Sequence, residues 1–338
     1  MNILQYKFPK INFIGNKEKI VDWIADNLPT DVESVFDAFS GGASVSFKLK
    51  NEGYKLVTND IMKINYLISK GLIENKEVKL TEQDLENIFK GKPLKGFMFN
   101  NYSNVIFLPE ECMELDLYRV NIGKINNIYK KALAFILIRR AMVRKMPYSR
   151  FNLNWDKITQ LRDEEYSYKM YGRKRAYHNL SFKEHILENY EDYNNAVFDN
   201  EKTNLALNLN IFDAISSVET DAVYLDPPYT GTMNNYFGFY GVLDEYIDGR
   251  KLQPFKDNFI DKKLSVYFFE RLFVSLKKFK YIMLSYNNSS FPTKEQIWAL
   301  MKKHSREVSV IEKKHAYQLT GKGNKQNNLE LLFIAKTK

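Results

Sequence analysis

The residues best suited by type and spacing to do chemistry are Asp226-Pro227-Pro228-Tyr229, which directly follow the apolar run Ala222-Val223-Tyr224-Leu225. Two successive prolines withdraw two N–H donors and fix φ, so a strand must stop there and the backbone stiffens. On a stiff backbone the Asp226 carboxylate and the Pro227 carbonyl can converge on one amino group, each accepting one of its two hydrogens. Tyr229 offers a flat face for a planar ring. The set suits a planar amino-heterocycle and leaves the lone pair of its nitrogen directed outward. The bland alternative is a proline-rich loop after a buried strand.

Other residues of chemical interest lie near the amino terminus. Val35 and Phe36 predict a strand that runs into Asp37 and then Phe39-Ser40-Gly41-Gly42, a turn that opens a helix over Ala43 to Asn51. A strand–glycine turn–helix unit brings backbone N–H groups and the positive helix end close to a ligand. A purely structural turn would read the same way. The next strand, Lys55 to Thr58, ends at Asn59-Asp60. An acid at the end of the second strand, about 20 residues past the glycine turn, is where nucleotide-binding α/β folds hold ribose hydroxyls. Asp60 is the ribose candidate, or a helix cap, or both. Phe13-Ile14-Gly15-Asn16-Lys17 precedes an amphipathic stretch from Lys19 to Leu28, and Asn208 to Asp213 reads as a further strand ending in an acid. Asp213 is a ligand candidate or the cap of a helix over Ala214 to Val218.

Taken together, these motifs resemble the S-adenosylmethionine-dependent amino-methyltransferases, in the form favoured by DNA adenine-N6 enzymes. The glycine turn resembles their Phe-x-Gly-x-Gly motif, with the second glycine shifted or replaced. Phe13, Gly15 and Lys17 match the amino-terminal cofactor motif, where the aromatic packs near the methionine moiety and the lysine meets its carboxylate region. The order of parts resembles the α group, with the target-recognition region between the cofactor half and the catalytic tetrapeptide. The resemblance covers about residues 8–70 and 205–336. It implies an α/β fold, a doubly wound Rossmann-like methyltransferase sheet, with an inserted and mainly helical recognition domain. The catalytic domain would be 1–71 with 205–338, and the insert 72–204. Asp226, Pro227, Pro228 and Tyr229 would be catalytic. Phe13, Gly15, Lys17, Asp37, Phe39, Gly41, Gly42, Asp60, Asp213 and Asp226 would meet S-adenosyl-L-methionine. The implied reaction methylates N6 of a flipped adenine in double-stranded DNA, as the modification enzyme of a restriction–modification system whose endonuclease acts independently. Competing readings are cytosine-N4 or RNA methylation, and a DNA-binding module that has lost catalysis.

Composition agrees with a polyanionic partner. The chain has 338 residues and a formal charge of +9, with pI near 9.1, which suits nucleic acid. The single cysteine, Cys112, excludes a disulfide framework and a cysteine metal site. His178, His185, His304 and His315 lack ligand spacing and read as surface or loop residues, so no metal is expected. The longest apolar helix segment, Ala132 to Ile138, is too short to span a bilayer, and Met1 to Phe13 lacks the apolar core of a signal peptide. A cytoplasmic monomer is expected.

Within the insert, helical spacing predicts a helix over Lys124 to Met146, ended by Pro147. Its last turns carry Arg139, Arg140, Arg144 and Lys145; Arg150 follows, and Arg173, Lys174 and Arg175 lie among aromatics. Arg144, Lys145, Arg150, Arg173, Lys174 and Arg175 are the candidate DNA contacts, to phosphates or base edges. Thr230 to Tyr240 is an aromatic segment expected to cover the target base. Tyr281 to Leu284 reads as a buried strand, Glu307–Glu312 and Leu329–Ala335 as a closing antiparallel pair, and Gly321 to Lys325 as a basic loop at the DNA.

Overall fold

A computed structural model describes residues 6–149, 151–172, 178–228, 236–255, 259–314 and 329–337. These fall into two compact units.

The first is built on one seven-stranded sheet: β1 (Ser34–Asp37), β2 (Lys55–Asn59), β3 (Leu205–Leu207), β4 (Ala222–Leu225), β5 (Tyr281–Asn287), β6 (Ser305–Lys314) and β7 (Leu329–Thr337). Strand order is β3-β2-β1-β4-β5-β7-β6. The first five run parallel, and β7 is antiparallel to both β5 and β6. Helices α1 (Val21–Asp26), α2 (Ser44–Asn51), α11 (Ile211–Ser217), α13 (Ser265–Ser275) and α14 (Lys294–His304), numbered in chain order, belong to the same unit.

Period-two alternation sorts the strand residues between the two faces. Phe36, Val223, Leu225, Ile282, Leu284, Leu331 and Phe333 share one apolar cluster with Ile215 of α11, Leu272 of α13 and Ile297 of α14. Val35, Tyr224 and Met283, one residue out of phase, point to the opposite face and are equally buried. Strands covered on both sides read as unbroken apolar runs, which is why Ala222-Val223-Tyr224-Leu225 and Tyr281 to Leu284 were legible. The antiparallel closing pair forms as expected. The amphipathic stretch becomes helix only over Val21–Asp26. One expectation fails: Asn208 to Asp213 is not a strand. The strand stops at Leu207, and Asn210 caps α11 by accepting from the Phe212 N–H at 3.0 Å. An Asn followed three residues later by an acid is a helix-start signal, and it prevails here.

The second unit is helical. It comprises residues 1–16, 62–201 and 236–254. Its helices are α3 (Lys63–Ser69), continued by a π-helical turn (Lys70–Glu74), α4 (Glu82–Phe89), α5 (Phe97–Tyr102), α6 (Pro109–Gly123), α7 (Ile128–Lys145), α8 (Trp155–Arg162), α9 (Glu164–Tyr171), α10 (Phe182–Asn195) and α12 (Tyr236–Asp248). Helix starts follow local chemistry. Ser181 and Glu184 form a reciprocal capping box on α10, an arrangement whose loss costs about 1 kcal/mol. Helix α7 is buried on nearly all sides, from Ala132 to Val143. A helix without a wet face is a core element, so the reading of Lys145 as a DNA contact needs correction. Arg139 and Arg140 are buried, and Arg140 Nε donates to Asn189 Oδ1 at 3.2 Å. Lys145 is 2% exposed and pairs with Glu111 at 2.9 Å, as does Arg162 through two donors. The Lys145 ammonium is thus committed to Glu111 rather than offered to a phosphate, whereas Arg144 is partly exposed. The histidines need the same correction: His178, His185 and His304 are buried, because each imidazole presents a mostly apolar body to a packed interior. His315 lies outside the described residues, as do Arg150, Arg173, Lys174, Arg175, Tyr229 to Asn235 and the Gly321 to Lys325 stretch. No helix of the described residues is long and apolar enough to cross a membrane.

Candidate active site

Register places three of the acids together. Asp37, the last residue of β1, pairs with Thr58 of β2 and with Tyr224 of β4. Two residues past Thr58 stands Asp60, and two past Tyr224 stands Asp226. All three therefore lie at the carboxyl edge of neighbouring parallel strands, where the order turns from β2-β1 to β4-β5. This is the topological switch point at which open α/β sheets bind ligands. Glu330 joins the same edge from β7, opposite Asn287 at the end of β5.

The loops at this edge are tied to each other. The Gly41 N–H donates to Asp60 Oδ2 at 2.9 Å, which binds the glycine turn to the end of β2. Gly41 needs its glycine, with φ at +48°. Ala43 stands where the motif has its second glycine and adopts φ of +61° itself, so that slot keeps its left-handed backbone without the usual residue. Asn59, buried, accepts from Leu209 N at 3.0 Å and donates to Leu209 O at 3.2 Å. Its carbonyl accepts from Ser40 N at 2.9 Å. Asn59 thus fastens the glycine turn through its backbone and the β3 exit through its side chain. In sequence it stood out only as a neighbour of Asp60; its clamp joins residues distant along the chain.

Electrostatics are dominated by acids around one cation. Lys17 Nζ lies 2.9 Å from Asp226 Oδ1, with side chains 5% and 19% exposed. Burial raises the Asp226 carboxyl above the usual range, and Lys17 opposes the rise. Asp37 is pushed up to about 7, first by burial and then by the charges of Asp226 and Asp60, against a Ser46 hydroxyl that donates to it at 2.5 Å. Among the described residues its buried Oδ1 has no hydrogen-bond partner. Glu330 is likewise pushed up to about 7 by burial and by Asp226, with Lys17 opposing. Next to them the Tyr224 hydroxyl pairs with Ser285 Oγ at 2.7 Å. Among the described residues, buried acids gathered near the Lys17 ammonium form a field that favours a cationic ligand.

The remaining expected residues are placed as follows. Phe39 packs edge-on against Phe259, ring centroids 5.7 Å apart, and Gly42 is buried in the turn. Pro227 is buried and Pro228 half-buried. Asp213 is exposed in the first turn of α11. In the helical unit, Phe13 stacks on Tyr240 with centroids 5.1 Å apart and planes 13° from parallel, and Gly15 has φ of +82°.

The sequence model of the D12 class N6 adenine-specific DNA methyltransferases matches residues 13–299. The chain belongs to this family. It is an adenine-specific DNA methyltransferase. Among curated proteins, the methyltransferase is 54% identical over 332 residues to the Type II methyltransferase M2.HphI of Haemophilus parahaemolyticus, spanning 98% of this chain and 99% of that one. It is 22% identical to the Type II methyltransferase M.CviAII of Paramecium bursaria Chlorella virus 1, over 93% of this chain and 95% of that one. The Type II methyltransferase M.FokI of Planomicrobium okeanokoites is also 22% identical, over 95% of this chain but only 50% of the longer relative.

Proposed function

We propose that this methyltransferase takes its methyl group from S-adenosyl-L-methionine and delivers it to an adenine swung out of double-stranded DNA, as the modification enzyme of a type II restriction–modification system. The observation that carries the reading is the register that sets Asp226 beside Asp37 and Asp60 at the switch point. The type II assignment rests on the printed names of the relatives.

The residues fit the donor. A buried Asp37 oxygen without a partner among the described residues, and acids held above their usual range, suit a ligand that brings positive charge. Asp60 would hold the ribose, with Gly41 and Gly42 leaving room for close approach and Phe39 and Asp213 flanking. Phe13, Gly15 and Lys17 are assigned to the methionine end by resemblance. When bound, S-adenosylmethionine supplies an electrophilic methyl on a positively charged sulfur.

The chain's own groups do the rest. Extracting the base costs about a few kcal/mol, repaid by stacking on Tyr229 and by two acceptors for the N6 hydrogens. Asp226 and the Pro227 carbonyl draw the amino nitrogen from planar toward tetrahedral, freeing its lone pair. As N6 gains positive charge, the Asp226 carboxylate stabilises it until a proton leaves. Placement and electrostatics provide most of the acceleration, and no covalent enzyme intermediate is needed.

Residues 72–204 serve as the target-recognition domain, with Arg144, Arg150, Arg173, Lys174 and Arg175 meeting DNA. The enzyme acts as a monomer in the cytoplasm, and the cognate endonuclease acts independently. Incubation of purified enzyme with labelled donor and duplex DNA, followed by nucleoside mass analysis, tests the reading. N6-methyladenine at one repeated sequence is expected; label in RNA, or N4-methylcytosine, would refute it.

A further inference from the structure

Residues Lys10 to Ile14 form neither helix nor strand, yet three helices of the same unit fix their backbone. Tyr193 Oη of α10 donates to the Lys10 carbonyl at 3.1 Å. Arg139 of α7 donates through Nη1 to the Ile11 carbonyl at 2.5 Å and through Nη2 to the Asn12 carbonyl at 3.4 Å. The Ile14 N–H donates to Tyr240 Oη of α12 at 2.9 Å. The Tyr240 ring carries Phe13 stacked on it, and the Arg139 guanidinium lies 5.9 Å from its centroid. Arg139, Tyr193 and Tyr240 are each 1% exposed.

This arrangement is costly. The groups that face Arg139 are two carbonyls and the rings of Tyr193 and Tyr240, with no carboxylate among the described residues to balance its buried charge. Hydrogen bonds to four of five consecutive loop residues, with the fifth held by ring stacking, are far more than a surface connection requires. Left-handed backbone at Asn12 (φ +51°) and Gly15 (φ +82°) brackets the Phe13 ring. Lys17, the cation paired with Asp226, stands three residues beyond Ile14.

We propose that Arg139, Tyr193 and Tyr240 are positioning residues that preset Phe13 and the chain leading to Lys17 for binding of the methyl donor. The proposal rests on the reading that Phe13 to Lys17 meets the donor. Its physical basis is preorganisation: a loop already fixed does not pay ordering entropy when the ligand arrives. Helix α7 lies between the cofactor half and the tetrapeptide, and α12 begins ten residues after Asp226. Both segments therefore serve donor affinity in addition to any role toward DNA.

The test compares Tyr240→Phe, Arg139→Lys and Phe13→Ala with wild type, titrating S-adenosylhomocysteine calorimetrically and measuring steady-state methyl transfer. Tyr240→Phe keeps the ring and removes only the acceptor for the Ile14 N–H. It is expected to raise Kd for S-adenosylhomocysteine and KM for the donor by about five- to tenfold, with kcat at saturating donor and affinity for DNA changed less than about twofold. Arg139→Lys should act in the same direction, and if it fails to fold the Tyr240 variant still decides. Weakened binding in Phe13→Ala with wild-type binding in Tyr240→Phe would overturn the clamp while leaving the donor reading intact. Unchanged binding in Phe13→Ala would remove the donor reading of the loop and the clamp with it. Equal losses of kcat, DNA affinity and thermal midpoint in Tyr240→Phe would show a merely structural role and also overturn the proposal.

Discussion

Lys17 and Asp226 form a buried ion pair, Nζ to Oδ1 at 2.9 Å, although 208 intervening residues separate them in the chain. Lys17 and the proposed catalytic acid are thus one electrostatic unit. In the proposed reaction Asp226 must be ionised to stabilise the charge that N6 gains, so activity should fall as pH drops through its carboxyl's pKa. Lys17 opposes the burial that raises that carboxyl. Lys17→Met should therefore move the acid limb of the kcat/KM profile to higher pH and cost about 3–5 kcal/mol of stability. An unmoved acid limb would separate Lys17 from the chemistry.

Asp60 accepts from Gly41 N and is the proposed ribose acid. Asp60→Ala should weaken S-adenosylhomocysteine about 10- to 100-fold, the worth of a charge-assisted pair of hydrogen bonds. Asp60→Asn, which can still accept from Gly41, should fall between that and wild type. Calorimetry showing wild-type affinity in the alanine variant would rule out a ribose role.

The raised carboxyls of Asp37 and Glu330, both about 7, make two linked predictions. For a group whose folded pKa exceeds its unfolded value, stability is greatest below the unfolded pKa, near 4, and is lost as pH rises to the folded pKa. Free enzyme should thus lose stability between about pH 4 and 7, and Asp37→Asn or Glu330→Gln should flatten that slope. A cationic donor favours the ionised acids, so its binding should release protons near neutrality and its affinity should rise about tenfold from pH 6 to 8. Calorimetry in buffers of different ionisation enthalpy reads the proton count. Proton uptake, or none, would contradict the sign.

Lys145 separates structural from DNA-facing cations. Glu111 is held below its usual range: burial would raise it, but the Arg162 hydrogen bonds and the charges of Lys145 and Arg162 outweigh that. This contribution is present above the unfolded pKa and lost as pH falls through the folded one. Lys145→Met should lower the thermal midpoint yet leave the salt dependence of DNA binding unchanged. Alanine at Arg150, Arg173, Lys174 or Arg175 should instead reduce the slope of log K against log salt by about one for each phosphate contact. A reduced slope in Lys145→Met would return that residue to the DNA surface.

The legible and illegible parts of the molecule divide along physical lines. The buried parallel strands, the stop at Pro227 and the acids at strand ends are local signals, written in neighbouring residues. Asp37, Asp60 and Asp226 were therefore readable as a set, and the sheet register then places them side by side. What escaped depends on which surface another element covers. Lys145 reads as a DNA-facing cation in sequence, since periodicity marks a helix face but not what packs against it. In the fold it is buried against Glu111, while Arg139 holds the Ile11 and Asn12 carbonyls. Three histidines were misplaced for the same reason. The strand expected over Asn208 to Asp213 was lost to a local contest, because Asn210 starts a helix there. Asn59 escaped because its partners, Ser40 and Leu209, come from different loops.

The most direct measurement is single-turnover methyl transfer to duplex DNA by Asp226→Asn, with donor binding and thermal midpoint followed in parallel. Asparagine keeps the shape and one acceptor but cannot carry the negative charge that the reacting nitrogen requires. The predicted result is a fall of at least about a thousandfold in the transfer rate in a folded protein. Transfer at the wild-type rate would contradict the account at its centre.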